Sequence, residues 1–340
     1  MPIKVLIVDD SSTARAVIRE ILESDPGIEV VGTAQDAYVA RDKIVELKPD
    51  VVCLDVEMPR MDGITFLKKM MEHMPTPVVM VSSLTQQGAQ TTLDALDAGA
   101  VDFVPKPHSN IYDGADEIRD EIIAKVKAAS KAKVRKKEPV KTQKLQYAAL
   151  SETTDKVIVI GASTGGTEAI REVLERLPRN TPGIVIVQHM PPNFTKNFAD
   201  RLNALCEIEV KEATNGEFLG VGKALIAPGD YHMALRRSGA KYYVEIGTGD
   251  KVSGHRPSVD VLFNSAAKSA GKNALGVILT GMGSDGAKGL LALRKAGGKT
   301  LGQDERSCVV YGMPRAAYEL GAVDKQVSLD KMPEAILSAI

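Results

Sequence analysis

Tryptophan is absent, and aromatic residues make up only 4% of the 340-residue chain. Cysteine is scarce as well. Cys53, Cys206 and Cys308 are odd in number and far apart, so they supply neither a metal-type CxxC pair nor a disulfide framework. They read as small buried hydrophobes in a protein of the reducing cytoplasm. No apolar run approaches the roughly 20 residues of a spanning helix, so no direct membrane insertion is expected. Met1-Pro2-Ile3-Lys4 leads straight into a short apolar strand, and no signal peptide is expected. Neither sign of charge dominates. A formal net charge of −1 exerts no global pull toward nucleic acid or anionic membrane.

What is present, 44% hydrophobic and 26% charged residues, suits a globular chain of about two domains. In the first 125 residues, short apolar runs alternate with amphipathic ones. The apolar runs are Ile3–Val8, Ile28–Gly32, Val51–Leu54, Val78–Val81 and Val101–Val104. Helical patterns begin near Ser12, Asp36, Gly63, Gln87 and Asp113. Five strands alternating with five helices predict a parallel sheet covered on both faces, with ligands at the carboxyl ends of its strands.

From Lys131 to Lys144 the chain reads KAKVRKKEPVKTQK, seven basic residues against one acid. The run lacks an apolar period and interleaved aromatics, so it reads as a solvated linker rather than a nucleic-acid patch. The expected organisation is a domain over 1–125, a basic linker over 126–152 and a second domain over 153–340. In the second, Val157–Ile160, Ile184–Val187 and Leu275–Leu279 are continuous apolar runs, the mark of buried parallel strands. Helices are predicted near Gly165, Asn193, Pro257 and Asp285. Turn signals within Ala224–Ile246 predict antiparallel strands at the sheet edge. The fold class is thus α/β, two doubly wound domains.

Acids cluster at the strand ends of the first domain. Asp9 and Asp10 follow the first strand and Asp55 ends the third. Three adjacent carboxylates repel one another unless a hard cation such as Mg²⁺ neutralises them. Ser82 ends the fourth strand, and Lys106 follows the fifth. A carboxylate nucleophile, a metal, a hydroxyl and an ammonium together can accept and hold a phosphoryl group. Either aspartate of Asp9-Asp10 alone is equally a cap for the helix after it. In this order, VLIVDDS, VCLDVEMPRMDG, VVMVSS and DFVPKP resemble the response-regulator receiver domain. The resemblance implies phosphorylation at Asp55. It implies Mg²⁺ ligation by Asp10, Asp55 and the Glu57 carbonyl, with Asp9 acting partly through water. Ser82 and Lys106 would contact phosphoryl oxygens, and Phe103 matches the family's switch aromatic.

The second domain carries VIVIGASTGGTEAI, a strand, a tight turn and a helix. Gly161-Ala162-Ser163-Thr164-Gly165 fits the G-x-S-x-G elbow that exposes a serine above a sheet. A glycine-rich turn of this kind also binds phosphates, so a nucleotide loop is the rival reading. Against it, Ser163 replaces the middle glycine of a dinucleotide fingerprint, and the next strand ends in Gln188-His189 rather than an acid. His189 lies at the sheet edge expected for Ser163, although a lone histidine at a loop entrance is common. Asp285 sits in the glycine-rich loop LTGMGSDG, where it equally suits a helix cap; Ser284 can fill that position instead. His232 and His255 are alternative bases. Arg256 can meet an acidic substrate or stay solvated. A serine needs a base, and the base an orienting carboxylate. Ser163, His189 and Asp285 supply all three.

GASTGG, QHMPPNF, APGDYHM, HRPSVDVLF, ILTGMGSDG and QDERSCVVYGMPRAA resemble the catalytic domain of the CheB family of chemotaxis methylesterases. Together with the receiver-like half, the likeness spans nearly the whole chain. It implies hydrolysis of γ-glutamyl methyl esters on methyl-accepting chemoreceptors, with deamidation of receptor glutamines. Ser163 would be the nucleophile, His189 the base, Asp285 its partner and the backbone at Met282 the oxyanion donor. A chemotaxis histidine kinase would be the phosphodonor. Mg²⁺ is implied at the receiver site and no cofactor for ester hydrolysis. The implied location is the cytoplasm, at receptor arrays. A receiver-controlled DNA-binding regulator would need a short basic helical module, which about 190 residues with buried parallel strands do not resemble.

Overall fold

The apolar runs fold as strands wherever helices cover both of their faces. The computed structural model describes residues 1–82, 85–106, 115–132, 134 and 155–340. The chain divides into two compact units, Met1–Pro139 and Val140–Ile340.

In the first unit β1 (Ile3–Val8), β2 (Ile28–Ala34), β3 (Val51–Asp55), β4 (Val78–Ser82) and β5 (Asp102–Pro105) form a parallel sheet of order β2-β1-β3-β4-β5. They alternate with α1 (Ser12–Glu23), α2 (Ala37–Leu47), α3 (Gly63–His73), α4 (Gln86–Asp97) and α5 (Ala115–Ala129). β3 and β4 are buried along their full lengths, which is why VVCLD and VVMVS are continuous rather than alternating. Side chains start the helices: Ser11 accepts from the Ala14 N–H, Asp36 from Tyr38 and Val39, and Asp62 from Thr65. The first residues of the expected linker are the last turn of α5, because Val126, Ala128 and Ala129 continue its buried face. From 135 to 152 that linker lies outside the described residues, as does Pro107.

In the second unit the strands are β6 (Val157–Ala162), β7 (Ile184–Gln188), β8 (Glu209–Glu212), β9 (Lys223–Ile226), β10 (His232–Ser238), β11 (Lys241–Gly247), β12 (Ala274–Ile278), β13 (Lys299–Gln303) and β14 (Lys325–Val327). Seven of them form a parallel sheet of order β14-β13-β12-β6-β7-β9-β8. The antiparallel element expected within Ala224–Ile246 is the hairpin β10–β11, a two-stranded sheet of its own. The start of that segment behaves differently. Lys223–Ile226 pairs in parallel with β7, because its buried Ala224, Leu225 and Ile226 extend the large sheet's core.

The helices are α6 (Gly166–Leu174), α7 (Phe194–Leu205), α8 (Val259–Ser269), α9 (Ala287–Lys295), α10 (Met313–Glu319) and α11 (Met332–Ala339). α8 packs against β6, α9 and β10 at once. Its Leu262 and Phe263 are fully buried in one cluster with Val185, Leu235, Leu290 and Leu293. Each such side chain stabilises the fold by about 1.5–3 kcal/mol relative to exposure. α8 is therefore held rigidly, and its N-terminus faces the carboxyl ends of the central strands. Among the described residues no helix is long and apolar enough to cross a membrane.

Candidate active site

Ser163 directly follows β6, the central strand, and Gly165 at φ 75° opens α6 behind it. The Ser163 N–H donates to Thr280 O at 3.0 Å, which ties the turn to the end of β12. A Cβ at Gly281 would stand 2.8 Å from the Ser163 Cβ, so the next strand's loop passes this close only because Gly281 has no side chain.

His189 follows β7, which neighbours β6 on the other side. Its N–H donates to Ala162 O at 3.3 Å. The His189 Nε2 lies 2.9 Å from Asp285 Oδ2. As a carboxylate only accepts, the proton of the neutral ring sits on Nε2 and the lone pair on Nδ1. Nδ1 is buried and has no hydrogen-bond partner among the described residues. The ring stacks on His255 with centroids 3.8 Å apart and planes 14° from parallel, which confines its tilt.

Asp285 is 1% exposed and does not cap the helix that follows it. Its Oδ1 accepts from Ser258 Oγ (2.8 Å) and the Asp260 N–H (3.1 Å); its Oδ2 accepts from the Val259 N–H (2.7 Å). It thus closes the N-terminus of α8, and Asp260 in return accepts from the Gly289 N–H of α9 at 2.7 Å. Burial pushes the Asp285 carboxyl up, but His189, the Val259 N–H and Ser258 together outweigh it and hold the group below the ordinary carboxylate value. The helix dipole of α8 acts in the same direction. Asp285 is therefore a fixed anion behind the imidazole.

The other sequence candidates have different engagements. His232 Nδ1 accepts from the Ser258 N–H (3.2 Å) and its Nε2 meets Asp250 O (2.9 Å), so both ring nitrogens are spent on the fold. Arg256 is partly exposed and bonds Asp230 Oδ1 (2.6 Å) and Gly249 O (2.7 Å). Met282 is half-buried beside Gly281, and no hydrogen bond among the described residues uses its N–H. Sequence reasoning missed Ser258 as a partner of Asp285, the stacking role of His255 and the side chain of Gln188. QHM and HRPS carried a signal for them only as neighbours of the named residues.

In the first unit, Asp9, Asp10 and Asp55 bring carboxylate oxygens within 4.8 Å of one another. Lys106 Nζ lies 2.7 Å from Asp55 Oδ2 and 2.9 Å from Asp9 Oδ2. Burial, opposed by Lys106 and reinforced by Asp9, pushes the Asp55 carboxyl up to about 6. An all-oxygen cluster this crowded fits a hard divalent cation, which would relieve the repulsion. Glu57 donates its N–H to Asp55 Oδ1 at 3.3 Å, and with Asp10 it lines an open depression of about 570 Å³. Ser82 is buried with its Oγ 2.6 Å from Thr92 Oγ1 on α4, and Phe103 is buried with Lys125 Nζ 4.9 Å over its ring.

Comparison with known proteins agrees with both halves. Residues 158–336 match the family model of the CheB methylesterase, and residues 5–112 that of the response regulator receiver domain. A protein-glutamate methylesterase/protein-glutamine glutaminase of Sulfurimonas denitrificans is 59% identical over 348 aligned positions, covering 100% of this chain and 99% of the relative. Its counterpart in Escherichia coli is 54% identical over 338 positions, covering 99% and 97%. The crystal structure of the Thermotoga maritima CheB methylesterase catalytic domain covers 54% of this chain and 98% of its own, at 41% identity and a TM-score of 0.53.

Proposed function

The chain belongs to the CheB methylesterase family and is a protein-glutamate methylesterase/protein-glutamine glutaminase with a receiver domain, and we propose that Ser163, His189 and Asp285 carry out the hydrolysis. The observation that carries this reading is the buried, unpartnered Nδ1 of His189. Its ring is anchored through Nε2 on the Asp285 anion, one strand away from Ser163.

Ser163 Oγ attacks the γ-carbonyl carbon of a glutamyl methyl ester while His189 Nδ1 takes its proton. Asp285 stabilises the resulting imidazolium without taking the proton itself. The N–H of Met282 is the assigned donor to the oxyanion. When the tetrahedral intermediate collapses, the bond between the acyl carbon and the methoxy oxygen breaks and His189 protonates the departing methoxide as methanol. Water, deprotonated by His189, then attacks the acyl-serine, which releases the glutamate side chain and restores Ser163. A glutamine side chain follows the same path and releases ammonia. Protein groups and water balance every proton in the cycle.

The first unit accepts a phosphoryl group at Asp55. Asp9, Asp10, Asp55 and the Glu57 carbonyl would hold Mg²⁺, which supplies the charge neutralisation that phosphoryl transfer to a carboxylate requires. Lys106 and Ser82 contact the phosphoryl oxygens, and Phe103 responds to the change at Ser82. The phosphodonor is a chemotaxis histidine kinase, the substrates are chemoreceptors, and the enzyme works in the cytoplasm at receptor arrays. Phosphorylation raises the hydrolase rate. The test is methanol release from methylated receptor with and without a small phosphodonor. Release that the phosphodonor accelerates supports the reading, and absence of both methanol and ammonia release excludes it.

Asp285→Asn is expected to lower the rate by about 10²–10⁴-fold, less than loss of the nucleophile, because an orienting carboxylate forms no covalent bond. Full activity of this variant over pH 6–8 would assign the role to another acid.

A further inference from the structure

Gln188 ends β7 and is 3% exposed. Its Nε2 donates to Ser163 O at 3.0 Å and to His189 O at 3.3 Å. Both partners are carbonyl oxygens and only accept, so the amide must turn its NH₂ toward them. That choice strands the other end. Gln188 Oε1 is buried without a hydrogen-bond partner among the described residues. It lies over the backbone of Gly166, where a Cβ would come within 2.1 Å of it. The Gly166 N–H offers no relief, since it already donates to Ser163 O at 2.6 Å.

A buried amide oxygen left unpaired is a cost, and a leucine or methionine of similar volume would avoid it. What the glutamine provides in return is a single NH₂ group that joins the main chain of Ser163 to that of His189. The two residues stand on adjacent strands but beyond the last ladder pair, Ala162 with Gln188, where the single bond from the His189 N–H to Ala162 O, 3.3 Å long, is what remains of the ladder between them. We propose that Gln188 is a positioning residue that sets the spacing between the nucleophile and its base. Its loss acts unequally. Ser163 O keeps the Gly166 N–H, whereas His189 O has no other hydrogen-bond donor among the described residues. The base therefore moves more than the nucleophile. The expected signature is a slower chemical step with substrate binding intact.

This inference rests on Ser163 and His189 being nucleophile and base, and the test separates the two. The full chain is prepared as wild type, Gln188→Met and Gln188→Leu, both comparable to glutamine in volume and both without a hydrogen-bond donor. Four quantities are measured: kcat and KM for methanol release, the rate at which a fluorophosphonate probe labels Ser163, and the temperature of unfolding. A misplacement on the order of 1 Å between reacting groups costs about 100-fold in rate. Both variants should therefore lose about 10–100-fold in kcat and in labelling rate, with KM within about twofold of wild type. A Gln188→Met chain that labels and turns over at the wild-type rate would overturn the proposal. Should Gln188→Met fail to fold, wild-type kcat in Gln188→Leu would overturn it equally. A wild-type chain that hydrolyses receptor ester but is never labelled at Ser163 would instead remove the nucleophile assignment on which the proposal stands.

Discussion

Ser163→Ala should lower methyl ester hydrolysis by about three to six orders of magnitude, which places it at or below detection in a methanol-release assay. The size follows from the role. Without Oγ no acyl-enzyme forms, and the remaining groups offer only binding and oxyanion stabilisation to a direct attack by water. The fold should be unaffected, because the Ser163 interactions that hold the turn are made by its backbone N–H and C=O. Phosphorylation of Asp55 should also be unchanged, since the acids of the first unit belong to a separate compact body. Near-normal methanol release from this variant would exclude Ser163 as the nucleophile.

Asp55→Asn should abolish phosphoryl labelling by a small phosphodonor. An amide oxygen is a poor nucleophile, and the change also removes one of the three clustered carboxylates. Wild-type labelling should require Mg²⁺, because among the described residues Asp9, Asp10 and Asp55 otherwise share the single ammonium of Lys106, which reaches two of them. The activation that phosphorylation confers should vanish with the label. Couplings between sites are typically about 1–3 kcal/mol, so the lost activation should be about 5–150-fold. The basal rate of the unphosphorylated chain should stay as in wild type. Acid-stable label on Ser82 or elsewhere would contradict the assignment of Asp55.

The strands that carry the chemistry were legible because they are buried on both faces. IKVLIV, VVCLD, VIVIGA and IVIVQ are apolar almost throughout, and the polar residue that ends each run, Asp9, Asp55, Ser163 or Gln188, marks the carboxyl edge of its sheet. Parallel pairing then brings Ser163 and His189 to one edge without further information. The outer strands were not legible. β8 is EVKE, β14 is the three residues KQV, and KTLGQ in β13 carries Leu301 as its one large apolar residue. Such segments take strand form from their neighbours in the sheet, not from their own pattern. Asp285 was legible as an acid at a helix start, but the helix it serves begins 26 residues earlier in sequence, at Val259. A cap read from local order points to the wrong helix for that reason. His255 stacks on His189 from the turn that it closes with Val252, and Gln188 acts through an amide aimed at main chain. Neither contact has a sequence spacing that would announce it.

The central claim is that Ser163 is a nucleophile activated by the His189–Asp285 pair. The most direct measurement is peptide mass mapping of the intact, active chain after reaction with a fluorophosphonate probe, with His189→Gln treated in parallel. The account predicts a single adduct, on the peptide that contains Ser163, whose formation is slowed by about 10²-fold or more when His189 is replaced. An active chain that carries no adduct at Ser163, or one labelled there equally fast without His189, would contradict it.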